Sequence, residues 1–240
     1  MKKLMILVAA MALYATSAFA VGCDFNWNAC PGGAGSATDA TIDCAGGGAI
    51  VGYMTFQPSE ALTDLVAVDT ILDLMVPGSA FTTANFWDFE NVNAVGLAVT
   101  RVRPATICAA YTYIWNVAGS TEGYGALVFP ANPSHVRIAA GSNRPSNFVS
   151  AANAKIFGYA LTVDGSTSTE GGGTADGCSL PVVWALNQAL VGSAGGTPTT
   201  LLTAPSTNAS PCNHINGDAS LCGAVPTQRH TWGRLKSLYR

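Results

Sequence analysis

The chain is a succession of short apolar runs separated by clusters of Gly, Pro, Asn and Ser. This spacing is typical of a sandwich or barrel of antiparallel strands. We therefore predict an all-β fold, an antiparallel, jelly-roll-like β-sandwich of about nine strands. The predicted strands are 49–56, 65–76, 95–102, 108–117, 124–130, 135–140, 155–163, 180–191 and 199–203.

Side-chain alternation supports this interpretation in two of the runs. Aromatic residues occupy every second position over 111–115, and polar and apolar residues alternate over 135–138. One face of these strands is then buried and the other is wetted. Two runs are ambiguous: 62–75 is interpreted as a helical turn followed by a strand, and 180–190 as a strand rather than a short helix, because it contains β-branched residues.

The first 20 residues have the features of a secretory signal peptide. Lys2 and Lys3 form a positive end, an apolar run covers 4–15, and residues 18–20 read Ala-Phe-Ala, a small-x-small cleavage site. The apolar run is too short to span a hydrocarbon core of about 30 Å. We expect a secreted protein, extracellular, on the outer cell surface or periplasmic, with no transmembrane segment.

All seven cysteines follow the predicted cleavage site, so they meet an oxidising compartment in which disulfides form by default. A Gly-rich loop and a polar loop are each bracketed by two cysteines, which favours local pairing there. The candidate disulfides are Cys30 with Cys44, Cys212 with Cys222 and, by elimination, Cys108 with Cys178.

The remaining cysteine is Cys23, close to the new terminus. Residues 20–23 read Ala-Val-Gly-Cys, a weak lipobox in which Ala stands where a Leu-like residue is usual. Cys23 is therefore the candidate for an unpaired or lipidated residue, and an intermolecular bridge is a further use for it.

Charge is sparse and unevenly distributed. The chain has 11 Lys and Arg against 14 Asp and Glu, and removal of residues 1–20 leaves nine cations and a net charge of −5. Four of the nine cations lie in the last dozen residues, so residues 21–226 carry a net charge of −9. An acidic body repels phosphate backbones, and we expect no nucleic-acid partner.

The composition has no break that indicates a second domain. We predict one domain over 21–226 and a basic, amphipathic tail over 227–240. The tail places Trp232, Leu235 and Leu238 on one helical face, with its basic residues off that face. It is expected to cap the sandwich in cis or on a neighbouring copy, with a sorting, membrane-surface or partner-docking role as the alternative.

Sequence motifs for catalysis and metal binding are missing. Ser193 lies in GSAGG, which lacks the GxSxG spacing of a hydrolase nucleophile, and the Cys and His residues of 212–230 match no zinc-finger spacing. We therefore expect no catalytic residue, no metal and no cofactor.

One segment is a candidate glycan site. Trp87, Asp88 and Glu90 lie in FWDFEN, and in an extended segment both carboxylates point to one side. Glycosidases use two carboxyl groups about 5–10 Å apart, and the indole could stack on a sugar ring. The alternative is a polar surface with Trp87 packed inward; the other tryptophans of the apolar runs are equally suited to a core.

Four parts of the chain carry a resemblance. NWNAC at 26–30, the Gly-rich stretch to Cys44, GCSLPVVWALNQALV at 177–191 and TWGRLKSLYR at 231–240 resemble a group of uncharacterised secreted bacterial proteins from environmental genomes. The resemblance implies a β-sandwich. It implies no activity, and no site residue is transferred from it.

Two hypotheses for function follow. The first is a non-enzymatic extracellular or cell-surface structural or interaction protein, whose partner is a copy of itself or a cell-surface component, because so little charge does not oppose association. The second is a glycan-binding module or a weakly recognisable glycan hydrolase that uses Trp87, Asp88 and Glu90, by analogy with other sandwich folds. The first is favoured.

Overall fold

The computed structural model describes residues 22–76, 85–89, 96–129, 132–195, 198–203 and 212–217. The predicted signal peptide and the predicted tail lie outside these ranges, as do Glu90 and Cys222. Within the described ranges no helix is both long and apolar enough to cross a membrane. The helices described there are 3-10 turns of three residues each.

Eleven strands are described, and they form two sheets. They are β1 (Gly22–Trp27), β2 (Asp39–Ala40), β3 (Ala49–Gln57), β4 (Leu62–Met75), β5 (Gly96–Thr100), β6 (Thr121–Phe129), β7 (Asn132–Ser150), β8 (Ile156–Asp164), β9 (Val182–Ser193), β10 (Pro198–Thr203) and β11 (Cys212–Ile215). The smaller sheet has the order β1-β3-β8-β5; the larger has the order β2-β11-β9-β4-β7-β6, with β10 also on β9. This confirms the predicted all-β sandwich.

The strand pairs are antiparallel, apart from the short parallel pair of β2 and β11. From β1 to β6 each successive strand joins the opposite sheet, so the connections repeatedly cross the open ends of the sandwich. Such crossings place turns that are distant in sequence next to each other.

The core lies between the two sheets, where the inward side chains of β4, β7 and β9 face those of β1, β3 and β8. At its centre a hydroxyl pair joins the sheets. Thr70 Oγ1 donates to the carbonyl oxygen of Ala140 over 2.9 Å, so it accepts a hydrogen bond from the hydroxyl of Tyr159. Both side chains are fully buried, and the pair satisfies the polar groups that burial would otherwise leave without partners.

Residues 108–117 are not a strand, so that prediction is wrong. They form a turn and an irregular segment whose aromatic residues are anchored one by one. The Tyr111 hydroxyl donates to the carbonyl oxygen of Pro31 at 3.0 Å, and the Trp115 indole donates to that of Phe157 at 2.7 Å. Arg103 donates to the carbonyl oxygens of Cys108 and Tyr111. The alternating aromatic residues of this segment are therefore held by individual hydrogen bonds, and their alternation does not indicate a β-strand.

Two ambiguous segments are resolved as strands. The expected helical turn at the start of 62–75 is wrong, because β4 already begins at Leu62. Its pairing with β7 shifts register between Leu62 and Leu65 and again before Ala67, which breaks the alternation. The prediction for 180–190 is confirmed by β9, where Asn187 is an extra residue between two registers with β4.

Candidate functional site

The predicted glycan site does not form around Trp87. Residues Asn85–Trp87 form a 3-10 turn rather than an extended strand, and Trp87 is 0% exposed. Its indole donates to the carbonyl oxygen of Gly177 at 2.8 Å. A buried indole cannot stack on a sugar ring, so the expectation for Trp87 is wrong. Asp88 is partly buried, and Glu90 lies outside the described residues.

Three other tryptophans belong to the core as well. Trp27, Trp115 and Trp184 are each 0% exposed. Trp27 and Trp184 meet edge to face with ring centroids 5.6 Å apart, and Phe25 packs against both. Large aromatic groups in this arrangement contribute packing energy between the sheets, and none of these rings offers a platform to a ligand.

The disulfides connect distant parts of the chain. Cys30 is bonded to Cys108 and Cys44 to Cys178, across 78 and 134 residues of sequence. The predicted pairs of Cys30 with Cys44 and of Cys108 with Cys178 are therefore wrong. The reason is topological, since each bridge joins turns that lie on different connections of the sandwich.

Cys212 is buried on β11 and takes part in a disulfide. Its predicted partner, Cys222, lies outside the described residues. A sulfur held in a disulfide is not available as a metal ligand.

Cys23 is a free thiol in the middle of the sandwich. It is 0% exposed, and its sulfur lies 3.8 Å from the carbonyl oxygen of Leu202 on β10. Burial, together with the neighbouring charge of Asp24, raises the pKa of this thiol. Thiolate is the reactive form, so burial and the raised pKa both lower the reactivity of this thiol in the folded protein.

A buried ionic cluster lies on the outer face of the larger sheet. Asp73 of β4 is 0% exposed, and Arg137 of β7 donates to both of its carboxylate oxygens at 2.7 Å. His135 Nε2 lies 3.1 Å from Oδ1 of Asp73, and the amide of Asn187 donates to Oδ2. The cluster therefore joins β7, β4 and β9, and the bidentate geometry fixes their lateral order.

The pKa values of two carboxyl groups on β4 are shifted in opposite directions. Burial raises the pKa of Asp73, but the hydrogen bonds and charges of His135 and Arg137 lower it by more, so it lies below the ordinary value. Asp69 faces the same side of the strand, and burial raises its pKa. The carboxylate of Asp73 has a structural role, since both of its oxygens accept hydrogen bonds from side chains of the neighbouring strands.

An open, acidic groove of about 650 Å³ lies beside the Cys44–Cys178 disulfide. Its polar groups serve the local backbone: Asp43 accepts from the amide of Gly46 at 2.7 Å, and Asn216 accepts from the amide of Ile42 at 3.1 Å. Asp39 and Glu170 also line it. The described residues contain no group of three or more potential ligands arranged to hold a metal ion.

The terminal strand β6 is the feature best suited to a partner. It is nine residues long, and among the described strands it is paired on one side only, by β7. Residues 121–124 are exposed and 125–127 are partly exposed. The other described strands that are paired on one side only are less available, since β1 is buried throughout and β2, β5 and β10 have only two, five and six residues.

The composition of β6 leaves its edge unprotected. Glu122 is its one charged residue, and it pairs with Arg101 across 3.4 Å. A Cβ atom added at Gly123 or Gly125 would meet nothing within 4 Å. Edge strands are usually guarded by lysine, proline or a bulge, and the stretch 123–127 has none of these, so its backbone groups can pair with a further strand.

Sequence reasoning missed both the ionic cluster and the open edge. A signal for the cluster exists: Asp69 and Asp73 are four residues apart and His135 and Arg137 are two apart, and both are even spacings that place each pair on one face of its strand. The edge position of β6 has no signal in sequence, because strand order is a property of the whole sheet.

Comparisons with known proteins place the chain in no family. No protein-family model matches it, and no curated protein is similar to it. Among solved structures, a cohesin module from a Clostridium perfringens family 33 glycoside hydrolase aligns with 82% of this chain and 98% of its own length, at 9% identity and a TM-score of 0.31. A similarity at this level carries no argument about function.

Proposed function

We propose that this protein is a secreted, non-enzymatic structural or interaction protein that acts outside the cell or at its surface and assembles with copies of itself. The observation that carries the proposal is the nine-residue edge strand β6, which is exposed over 121–124, partly exposed over 125–127, and has a single charged residue. Strand edges of this length with so little charge present rows of backbone donors and acceptors to another chain.

The cysteines support an extracellular location. Two disulfides link distant turns, and bonds of this kind form and persist in oxidising compartments. The N-terminal sequence, with its positive end, apolar run and small-x-small site, supports export by the same route. Kinship with the secreted bacterial group that the sequence resembles is part of this proposal.

The contacts and burial of the ionisable and nucleophilic side chains support a non-enzymatic role. Asp73 is held by three neighbouring side chains, and the Cys23 thiol is buried with a raised pKa. Catalytic groups have to face a space in which a substrate can sit. These groups instead face their own strands.

The proposal is tested by sedimentation velocity on the exported, mature protein over a wide range of concentration. We expect the sedimentation coefficient to rise with concentration. Gly123→Lys should weaken this rise, because the new charge lies on the β6 edge in open space. The matched control is Val149→Lys, which adds the same charge at a residue that is 69% exposed and lies on β7 beyond its pairing with β6.

A strictly monomeric protein at every concentration would contradict the proposal. Turnover of a substrate by the pure monomer would overturn it outright.

A further inference from the structure

We infer that β6 pairs with β6 of a second copy, antiparallel and about a two-fold axis at Gly125, so that the two larger sheets become one continuous sheet. The inference rests on the proposed self-assembly and names its surface, partner and register. Two-fold interfaces are self-complementary, so each residue on one strand must suit the residue that symmetry places opposite.

The sequence of β6 meets this requirement. Pairing about Gly125 places Tyr124 opposite Ala126 and Gly123 opposite Leu127, so each large side chain faces a small one. Tyr124 is a large apolar side chain that is 40% exposed, and in this register it gains a partner strand beside it. Gly125 faces its own copy, so no side chain has to be accommodated at the two-fold axis.

Charge does not oppose this register. Glu122 falls opposite Val128, so the two glutamates lie roughly 20 Å apart, six residues along the paired strands. That distance exceeds the Debye length of about 8 Å at physiological ionic strength, and their repulsion is screened. Each Glu122 keeps Arg101 as its partner within its own molecule.

A second copy fits the edge better than an unrelated peptide would. The small residues Gly123 and Gly125 leave open space beside the strand, and Leu127 of a symmetry-related copy supplies a side chain to fill it. The interface needs no segment beyond β6 itself, because both halves of the large-against-small match lie within 123–127.

Cysteine cross-linking tests the register. Opposed residues of antiparallel strands have Cα atoms about 4.5–5.5 Å apart, within the range that a disulfide spans. The variant Gly125→Cys should form a covalent dimer under mild oxidation, because residue 125 faces its own copy. Leu127→Cys alone should not, since each copy of it faces Gly123 instead.

A mixture of Gly123→Cys and Leu127→Cys proteins should form the mixed dimer, identified by mass spectrometry of the linked peptides. The native thiol of Cys23 is buried and does not compete. If the protein assembles in sedimentation but Gly125→Cys fails to cross-link, or Leu127→Cys cross-links to itself, the register is overturned and the proposed function stands. If it neither assembles nor cross-links, both fail.

Discussion

At the scale of single residues, buried polar groups hold this molecule in register. The Thr70–Tyr159 pair connects the two sheets through the core, and Asp73 connects three strands of one sheet on its outer face. Each group is buried and hydrogen-bonded, so removal of one partner leaves the other in a medium that cannot solvate it. Stability should therefore respond more to these few residues than to most apolar positions of similar size.

The hydroxyl pair gives a first prediction. Thr70→Val removes the acceptor of the Tyr159 hydroxyl and should lower the free energy of unfolding by about 1–3 kcal/mol, the cost of a buried polar group without a partner. Tyr159→Phe removes the unsatisfied group itself and should be milder. Urea denaturation of both variants and of the double variant checks this, and a double variant as unstable as the sum of the two would refute the coupling.

Asp73 gives a prediction with a defined pH dependence. Its native pKa lies below the ordinary value, so ionised Asp73 stabilises the fold fully above the unfolded pKa of about 3.9, and the contribution is lost as pH falls through the native pKa. Asp73→Ala should cost about 3–5 kcal/mol at pH 7, because it strips a buried ion pair of one partner. Unfolding measured from pH 7 to pH 3 should show the difference shrinking at the acid end.

Asp69→Asn is the matched control for this experiment. Burial raises the pKa of Asp69, so its ionised form is disfavoured in the native state and the neutral amide should be neutral or stabilising at pH 7. Equal destabilisation by the two substitutions would contradict the assignment of opposite roles.

At the scale of elements, the sequence pattern predicts strands better than it predicts their surroundings. Runs with alternation or β-branched residues became β3, β5, β8 and β9. The strand β1 has no counterpart among the predicted strands. Its apolar Cys23, Phe25 and Trp27 alternate with Asp24 and Asn26, but it is short and contains no β-branched residue. Segment 108–117 is the reverse case: its aromatic residues alternate, but it is not a strand. Individual side-chain hydrogen bonds hold these aromatic residues instead of pairing with a neighbouring strand.

The disulfides show why local spacing is a poor guide to pairing. Cys30 and Cys44 are close in sequence, but they are not bonded to each other. Cys44 is bonded to Cys178, and between these two residues the chain passes through both sheets. The contact between these turns can be predicted only when the strand order is known. For the same reason, the fold class could be predicted from the sequence, whereas the candidate interface could not.

The bridges are tested by peptide mapping under non-reducing conditions. We expect linked peptides that contain Cys30 with Cys108 and Cys44 with Cys178; a peptide that joins Cys30 to Cys44 would contradict the topology. Replacing either pair by serine should lower the free energy of unfolding by about 4–5 kcal/mol, since each bridge closes a long loop of the unfolded chain.

At the scale of the whole molecule, the net charge and the β6 edge have opposite effects on self-association. The predicted mature chain has a net charge of −5, so two copies repel weakly at long range. The β6 edge attracts at short range through backbone hydrogen bonds and apolar contact. Association should therefore depend on ionic strength in a direction that identifies the forces involved.

The expected direction is tighter association in salt. Raising NaCl shortens the Debye length from about 30 Å at 0.01 M to about 10 Å at 0.1 M and screens the repulsion between copies. Sedimentation measured at both salt concentrations should give a stronger self-association at the higher one. Dissociation by salt would instead indicate an interface built on ion pairs, in conflict with a β6 edge that has a single charged residue.

The central claim, that β6 is the self-assembly edge, is tested most directly by amide hydrogen exchange as a function of protein concentration. Backbone groups on an open edge exchange readily and become protected when a second strand pairs with them. We predict that exchange over 121–129 slows as concentration rises, while exchange in Gly96–Thr100, the terminal strand β5 of the smaller sheet, stays constant. Unchanged exchange in β6 at concentrations where the protein is assembled would contradict the account.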